Sequence, residues 1–340
     1  MHRMDPDSVD DVGRVPHGSS DDPDVLDLSA NINPRVPDGT RSIYREAFAD
    51  ARSYPDDSYP EFRAAAADYV GCDPESVVPT PGGLAAIRLA IGVTVSPGDR
   101  VLVPAPSFGE YVREVELAGG EAVVVPHREV VDRDPAGCAM AIACTPNNPT
   151  GELYPDADLR SFADRCADSG TTLLADEAFL GFTDRASLAG HPAAVVARSL
   201  TKLFGLPGLR AGFAVADGGV GERLRTARPA WSVGGPAAAV GAHAMRDSAF
   251  VEATRRRVAE ERRYLHDGLA ARGFDVSPSA APFVLCDVGE SPAELLSACR
   301  QRGVVLRDAT TFRGLDRHVR IAVRDRAATE ALFSVLDEVW

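Results

Sequence analysis

Lys202 is the only lysine in a 340-residue chain whose other basic side chains are all arginine. It lies in the stretch Ser199-Leu200-Thr201-Lys202-Leu203-Phe204-Gly205-Leu206-Pro207-Gly208-Leu209-Arg210. A guanidinium takes over most surface duties of an ammonium, but it cannot form the imine that a primary amine makes with a carbonyl carbon. One amine kept where all others are gone therefore points to covalent chemistry. Other places carry groups suited to anions. Gly82-Gly83 runs into a segment with Leu84, Ile87 and Ile91 at helical spacing, and glycines at a helix N-terminus let backbone amides approach a phosphate. Arg307, Arg313, Arg320 and Arg324 gather near the C-terminus, and guanidinium forks bind carboxylate or phosphate bidentately. A solvated surface role remains open for Arg313 and Arg324.

The elements that must hold these groups show in the apolar pattern. Short apolar runs at 101–104, 122–125, 139–144, 172–175, 195–199 and 211–215 read as strands. Amphipathic segments lie between several of them, such as Leu159, Phe162, Ala163 and Cys166. A helix is expected from Glu61, with Phe62, Ala65, Ala66 and Tyr69 in step, and a long one carrying Phe250, Thr254, Val258, Leu265 and Leu269. Strands separated by helices predict an α/β fold with a mainly parallel sheet covered on both faces. Ligands of such sheets bind beyond the carboxyl ends of the strands. Phe108, Asn148 and Asp176 each follow one of the runs.

The net charge of −14 argues against nucleic acid as the main partner. Many acidic residues with one lysine fit both a salt-adapted surface and a GC-biased genome. The six cysteines form no C-x-x-C pair, so reduced, buried thiols are expected rather than a metal site or a disulfide framework. The Asp-rich start to Pro16 lacks an apolar core, and no run is long enough to span a bilayer. These features lead to the expectation of a cytoplasmic enzyme without a membrane or nucleic-acid partner.

The string S-x-x-K followed by G-x-P-G-L-R resembles the cofactor-lysine segment of fold type I pyridoxal-5'-phosphate enzymes, the aspartate aminotransferase superfamily. The resemblance implies that Lys202 holds the cofactor aldehyde and that Ser199 and Arg210 bind its phosphate. Gly83, Leu84 and Ala85 match the family's phosphate cup. Relatives carry a polar or acidic residue there, so phosphate contacts from Leu84 and Ala85 would have to come from backbone amides. Phe108 matches the aromatic that stacks on the cofactor ring, and Asn148, in N-P-T-G, the donor to its phenolic oxygen. Asp176 matches the partner of the pyridine nitrogen, which a nearby carboxylate keeps protonated so that the ring accepts electrons. Phe179 stands where typical transaminases have a tyrosine. Tyr54 matches a residue that reaches the cofactor phosphate of the other subunit, implying a homodimer.

Within the superfamily, His17-Gly18 followed by D-x-S-A-N-I-N-P, P-x-F-x-E-Y and D-E-A-F resemble the L-threonine-O-3-phosphate decarboxylase branch, close to histidinol-phosphate aminotransferase, and R-x-A-V-R resembles the small-domain substrate segment of both. The resemblance implies that His17, Gly18, Asn31, Asn148, Arg307 and Arg320 bind a small phosphorylated amino acid. The implied reaction is decarboxylation of L-threonine O-3-phosphate to (R)-1-aminopropan-2-yl phosphate for cobalamin synthesis. Histidinol-phosphate transamination and a non-catalytic cofactor-binding protein are the alternatives. The implied organisation is a mobile segment 1–16, an arm or part of the small domain at 17–45, a large cofactor-binding domain at 46–240 and a small domain at 241–340.

Overall fold

The computed structural model describes residues 4–340. Its centre is a seven-stranded sheet in the order Val77–Thr80, Gly212–Val215, Ala194–Ser199, Thr172–Asp176, Met140–Cys144, Arg100–Ala105 and Glu121–Pro126. Every pairing is parallel except those of Gly212–Val215, which runs against both its neighbours. This is the α/β architecture expected from the apolar runs.

Alternation along the strands sends neighbouring residues to opposite faces. In Thr172–Asp176, Leu173 and Ala175 join the core on one face and Leu174 the core on the other. By the same period Asp176 shares the Leu174 face, which is covered by the helix Gly83–Thr94 and by Tyr111 and Val115 of the helix Glu110–Leu117. Glu177, on the opposite phase, is a buried carboxylate bonded to Arg198 at 3.1 Å, Ser187 Oγ at 2.6 Å and the Leu188 amide at 2.8 Å.

The strand Arg100–Ala105 lies between Met140–Cys144 and Glu121–Pro126. The chain therefore winds to one side of it and then to the other, and the crevice at that reversal is where such sheets take ligands. Phe108 leaves one of these strands and Asn148 another.

The C-terminal region carries a four-stranded antiparallel sheet in the order Arg307–Asp308, His318–Ala322, Phe283–Asp287 and Asp275–Val276. The long helix Ser248–Ala270 buries Thr254, Val258, Leu265 and Leu269 as read from spacing, with Val251 buried at the first turn where Phe250 was expected and Phe250 only partly covered. Leu26–Asp27 pairs in parallel with Val304–Val305, tying the start of the chain to this region. The Asp-rich start is laid along the helix Glu110–Leu117: the Asp5 amide donates to Leu117 O at 2.8 Å, and Arg113 Nε donates to Gly13 O at 3.1 Å.

Candidate active site

Lys202 sits on the turn that follows the strand Ala194–Ser199, partly buried. The turn is pinned to the N-terminal loop by Asn33, whose amide nitrogen donates to Lys202 O at 3.1 Å and whose Nδ2 donates to Leu203 O at 2.7 Å. Burial pushes the Lys202 ammonium down to about 8, aided by the charges of Arg320 and Arg210 and opposed by Asp176. Desolvation and neighbouring positive charges are the usual route to a lysine nucleophile at neutral pH.

Asp176 ends the neighbouring strand and is 5% exposed. Its Oδ2 accepts from Tyr111 Oη at 2.5 Å and its Oδ1 from the Ala178 amide at 3.0 Å. Burial raises its pKa, against those two bonds and the charges of Lys202 and Arg198. A buried carboxylate with two neutral donors is held charged by a cationic partner, and a protonated ring nitrogen meets that need.

The glycine loop, Ser199 and Arg210 converge. Gly82 has φ +99, and a Cβ there would stand 2.7 Å from Arg210 Nη2, so only glycine allows the guanidinium this close. A Cβ on Gly83 would stand 3.1 Å from Ser199 Cβ. The helix Gly83–Thr94 has no side-chain cap, so its first amides, those of Leu84 and Ala85 among them, are left for an anion. Ser199 Oγ bonds Thr201 Oγ1 at 2.7 Å, adding a hydroxyl that the family motif did not single out. These donors fit a phosphate monoester.

The C-terminal arginines form the other side. Arg307 and Arg320 are partners across two antiparallel strands and are buried. Arg320 donates to Asn148 Oδ1 and, at 2.9 Å, to Ser29 O; its Nε has no partner. Arg307 Nη2 donates to Pro16 O at 2.8 Å and Thr311 Oγ1 at 2.9 Å. All of these acceptors are neutral. Burial and the neighbouring Arg307 push Arg320 down to about 9. Buried cations without a carboxylate make a place for an anionic ligand, and Asn31, two residues after the Ser29 carbonyl that Arg320 holds, has a buried Oδ1 without a partner.

Phe108 stands against Tyr111 edge-on at 5.6 Å and lies 5.9 Å from the His17 ring. Gly18 packs so closely that a Cβ would meet Ser29 O at 2.8 Å and Arg307 Cδ at 2.9 Å. Phe179 is buried edge-on to Phe283 at 5.2 Å. Asn148 has its carbonyl oxygen taken by Arg320, which leaves its amide NH2 free to donate. Tyr54 projects into solvent, 78% exposed, and stacks on Trp231 at 4.5 Å.

Residue spacing left out Tyr111, Glu110, Thr201, Asn147 and Asn33. Asn147 joins two loops, accepting from Ser107 Oγ at 3.1 Å and donating to Pro106 O and Thr150 Oγ1, each at 3.0 Å. The signal for Tyr111 was its place in the motif P-x-F-x-E-Y, three residues after Phe108 and in the first turn of the helix Glu110–Leu117.

The fold and this constellation of a part-buried lysine, buried aspartate and uncapped helix define a pyridoxal-phosphate type of enzyme, and the sequence profile described as "Aminotransferase class I and II" matches residues 23–336. The chain belongs to that family, whose members use pyridoxal 5'-phosphate. It is 35% identical over 333 residues to a histidinol-phosphate aminotransferase of Symbiobacterium thermophilum, covering 93% of this chain and 91% of that protein. Its fold matches the histidinol-phosphate aminotransferase of Sinorhizobium meliloti in complex with pyridoxal-5'-phosphate, with a TM-score of 0.83 at 21% identity, over 91% of this chain and 89% of that one. It matches equally the L-threonine-O-3-phosphate decarboxylase of Porphyromonas gingivalis, with a TM-score of 0.83 at 24% identity, over 92% and 98%.

Proposed function

We propose that this chain is a pyridoxal-phosphate-dependent enzyme that transfers the amino group of a small phosphorylated substrate, with histidinol phosphate as the amino donor and 2-oxoglutarate as acceptor. The observation that carries the reading is the Lys202 amine, lowered to about 8 and set among Asp176, Arg210 and Arg320. The sequence relatives support transamination over the decarboxylation that the N-terminal motif implied.

Lys202, Asp176, Ser199, Arg210, Asn148, Phe108, Phe179 and the amides after Gly83 would hold the cofactor, which when bound supplies an aldehyde carbon and an electron-accepting ring. The chain's own groups do the rest. Neutral Lys202 Nζ accepts and returns a proton beside the substrate carbon. Asp176 keeps a positive charge opposite it. Arg307 and Arg320, with Asn31, His17 and Gly18, orient the substrate's anionic groups, and the part-buried Phe108 and buried Phe179 exclude water.

A second reading, decarboxylation of L-threonine O-3-phosphate, is favoured by Phe179, where a transaminase tyrosine is expected, and by His17 beside Phe108. We further propose a cytoplasmic homodimer with Tyr54 given to the partner's site, and a division into a large domain at 46–240 and a small one at 241–340. Among the described residues, no helix is long and apolar enough to cross a membrane.

Purified, cofactor-loaded protein decides between the reactions. Glutamate formed only when histidinol phosphate and 2-oxoglutarate are both present supports transamination. Carbon dioxide from phosphothreonine alone supports the second reading. No product from either overturns both.

A further inference from the structure

We infer that Glu110 is a positioning residue for substrate recognition: it holds the His17 ring so that its free nitrogen meets the substrate's phosphoryl group. The inference rests on the proposed action on a phosphorylated substrate.

His17 is half-exposed and lies on a segment without regular structure, where a side chain ordinarily samples several rotamers. Here it is fixed. Its Nε2 stands 2.9 Å from Glu110 Oε1, and the carboxylate is only 7% exposed. Glu110 is rigid in turn, being the first residue of the helix Glu110–Leu117, two positions after Phe108. Its other oxygen receives Arg113 Nη1 at 3.4 Å, which offsets the negative charge that would repel a phosphoryl group.

The segment that carries His17 is held at both sides. Val15 fills the space over Gly109, where a Cβ would come within 2.9 Å of Val15 Cγ1. Pro16 O accepts from Arg307, one of the two buried cations of the anion site. Glu110 therefore fixes an imidazole next in sequence to the backbone that Arg307 grips, and 5.9 Å from the Phe108 ring. With Nε2–H given to the carboxylate, Nδ1 is the nitrogen left to meet a ligand, and it donates to a phosphoryl oxygen when it carries a proton of its own. A fixed donor that joins the Arg307 and Arg320 guanidinium groups suits a dianionic phosphoryl group better than a monoanionic carboxylate.

The test compares each phosphorylated substrate with its dephosphorylated counterpart, histidinol or L-threonine, on cofactor-loaded protein. Glu110→Ala raises KM for the phosphorylated substrate about tenfold, changes kcat less, and lowers the preference for the phosphorylated form by the same factor. His17→Ala, made at a half-exposed position that leaves the core intact, gives the same pattern. The double variant is no worse than either single one by more than about twofold, because the two act as one unit. Glu110→Gln keeps an acceptor oxygen in place and recovers most of the loss. Additive single effects, or an equal loss on the dephosphorylated compound, overturn the role of Glu110 while leaving the function standing. Wild-type protein that forms no product from either phosphorylated substrate overturns the functional reading and this inference with it.

Discussion

Tyr111 Oη donates a 2.5 Å hydrogen bond to Asp176 Oδ2, with the phenol fully buried and the carboxylate 5% exposed. Burial and the adjacent carboxylate hold the Tyr111 hydroxyl well above its ordinary pKa, so it stays protonated and remains a donor. The bond favours the charged form of Asp176 against a burial that disfavours it. Tyr111→Phe removes one of the carboxylate's two donors. A lost bond to a buried charge costs about 1.5–3 kcal/mol, so cofactor affinity falls by roughly tenfold to a hundredfold, measured by equilibrium dialysis. Unchanged affinity contradicts the assignment of Asp176 to the cofactor.

Lys202 sets a pH dependence. Its amine is depressed to about 8 from 10.5 by burial first, then by Arg320 and Arg210. Covalent attachment of the cofactor to stripped protein needs the neutral amine, so its rate rises with pH to a midpoint near 8. The stability sign follows from the same shift. Between about 8 and 10.5 the unfolded chain binds the proton that the folded chain has lost, so cofactor-free protein gains stability as pH rises. The gain over that window approaches about 3 kcal/mol. The difference in urea midpoint between wild type and Lys202→Met, followed across pH, isolates it.

Arg320→Met removes a buried cation bonded only to neutral acceptors. Replacing such a charge by an apolar side chain is often neutral or stabilising. Ligand-free protein is therefore expected to melt at the same temperature or a few degrees higher, while KM for the phosphorylated substrate rises at least about a hundredfold. Since Arg320 also depresses the Lys202 amine, the attachment midpoint moves up in this variant. A midpoint that stays in place separates the two groups.

Gly18→Ala tests the fit of the N-terminal segment. The added Cβ would stand 2.8 Å from Ser29 O and 2.9 Å from Arg307 Cδ, and the backbone oxygen cannot move aside as a side chain does. The segment shifts, KM for the phosphorylated substrate rises several-fold, and melting temperature changes by only a few degrees because the segment lies at the surface. A loss confined to kcat places the segment elsewhere in the reaction.

Sequence legibility followed the physical origin of each feature. Asp176, Asn148 and Phe108 were readable because each follows an apolar strand, and strand ends are where a parallel sheet exposes its groups. Lys202 stood out by composition, and Gly82 by the backbone it permits. Glu110 and Tyr111 were quoted in a motif, but their partners His17 and Asp176 lie 93 and 65 residues away in the chain. Such pairs depend on how helices settle on the sheet, which no local spacing encodes. The N-terminal segment offered no periodicity because backbone carbonyls, such as those of Gly13 and Pro16, bind it to Arg113 and Arg307. Decarboxylation was read from short motifs, and relatives matched across nearly the whole chain support transamination instead.

Borohydride reduction of the cofactor-loaded protein, followed by peptide mass analysis, tests most directly whether Lys202 carries the cofactor. Lys202 and the N-terminus are the only primary amines that the sequence provides. The cofactor's mass is expected on the peptide that contains Lys202, with both label and turnover lost in Lys202→Arg. Label on the N-terminal peptide, no label at all, or a Lys202→Arg variant that still turns over would contradict that role for Lys202.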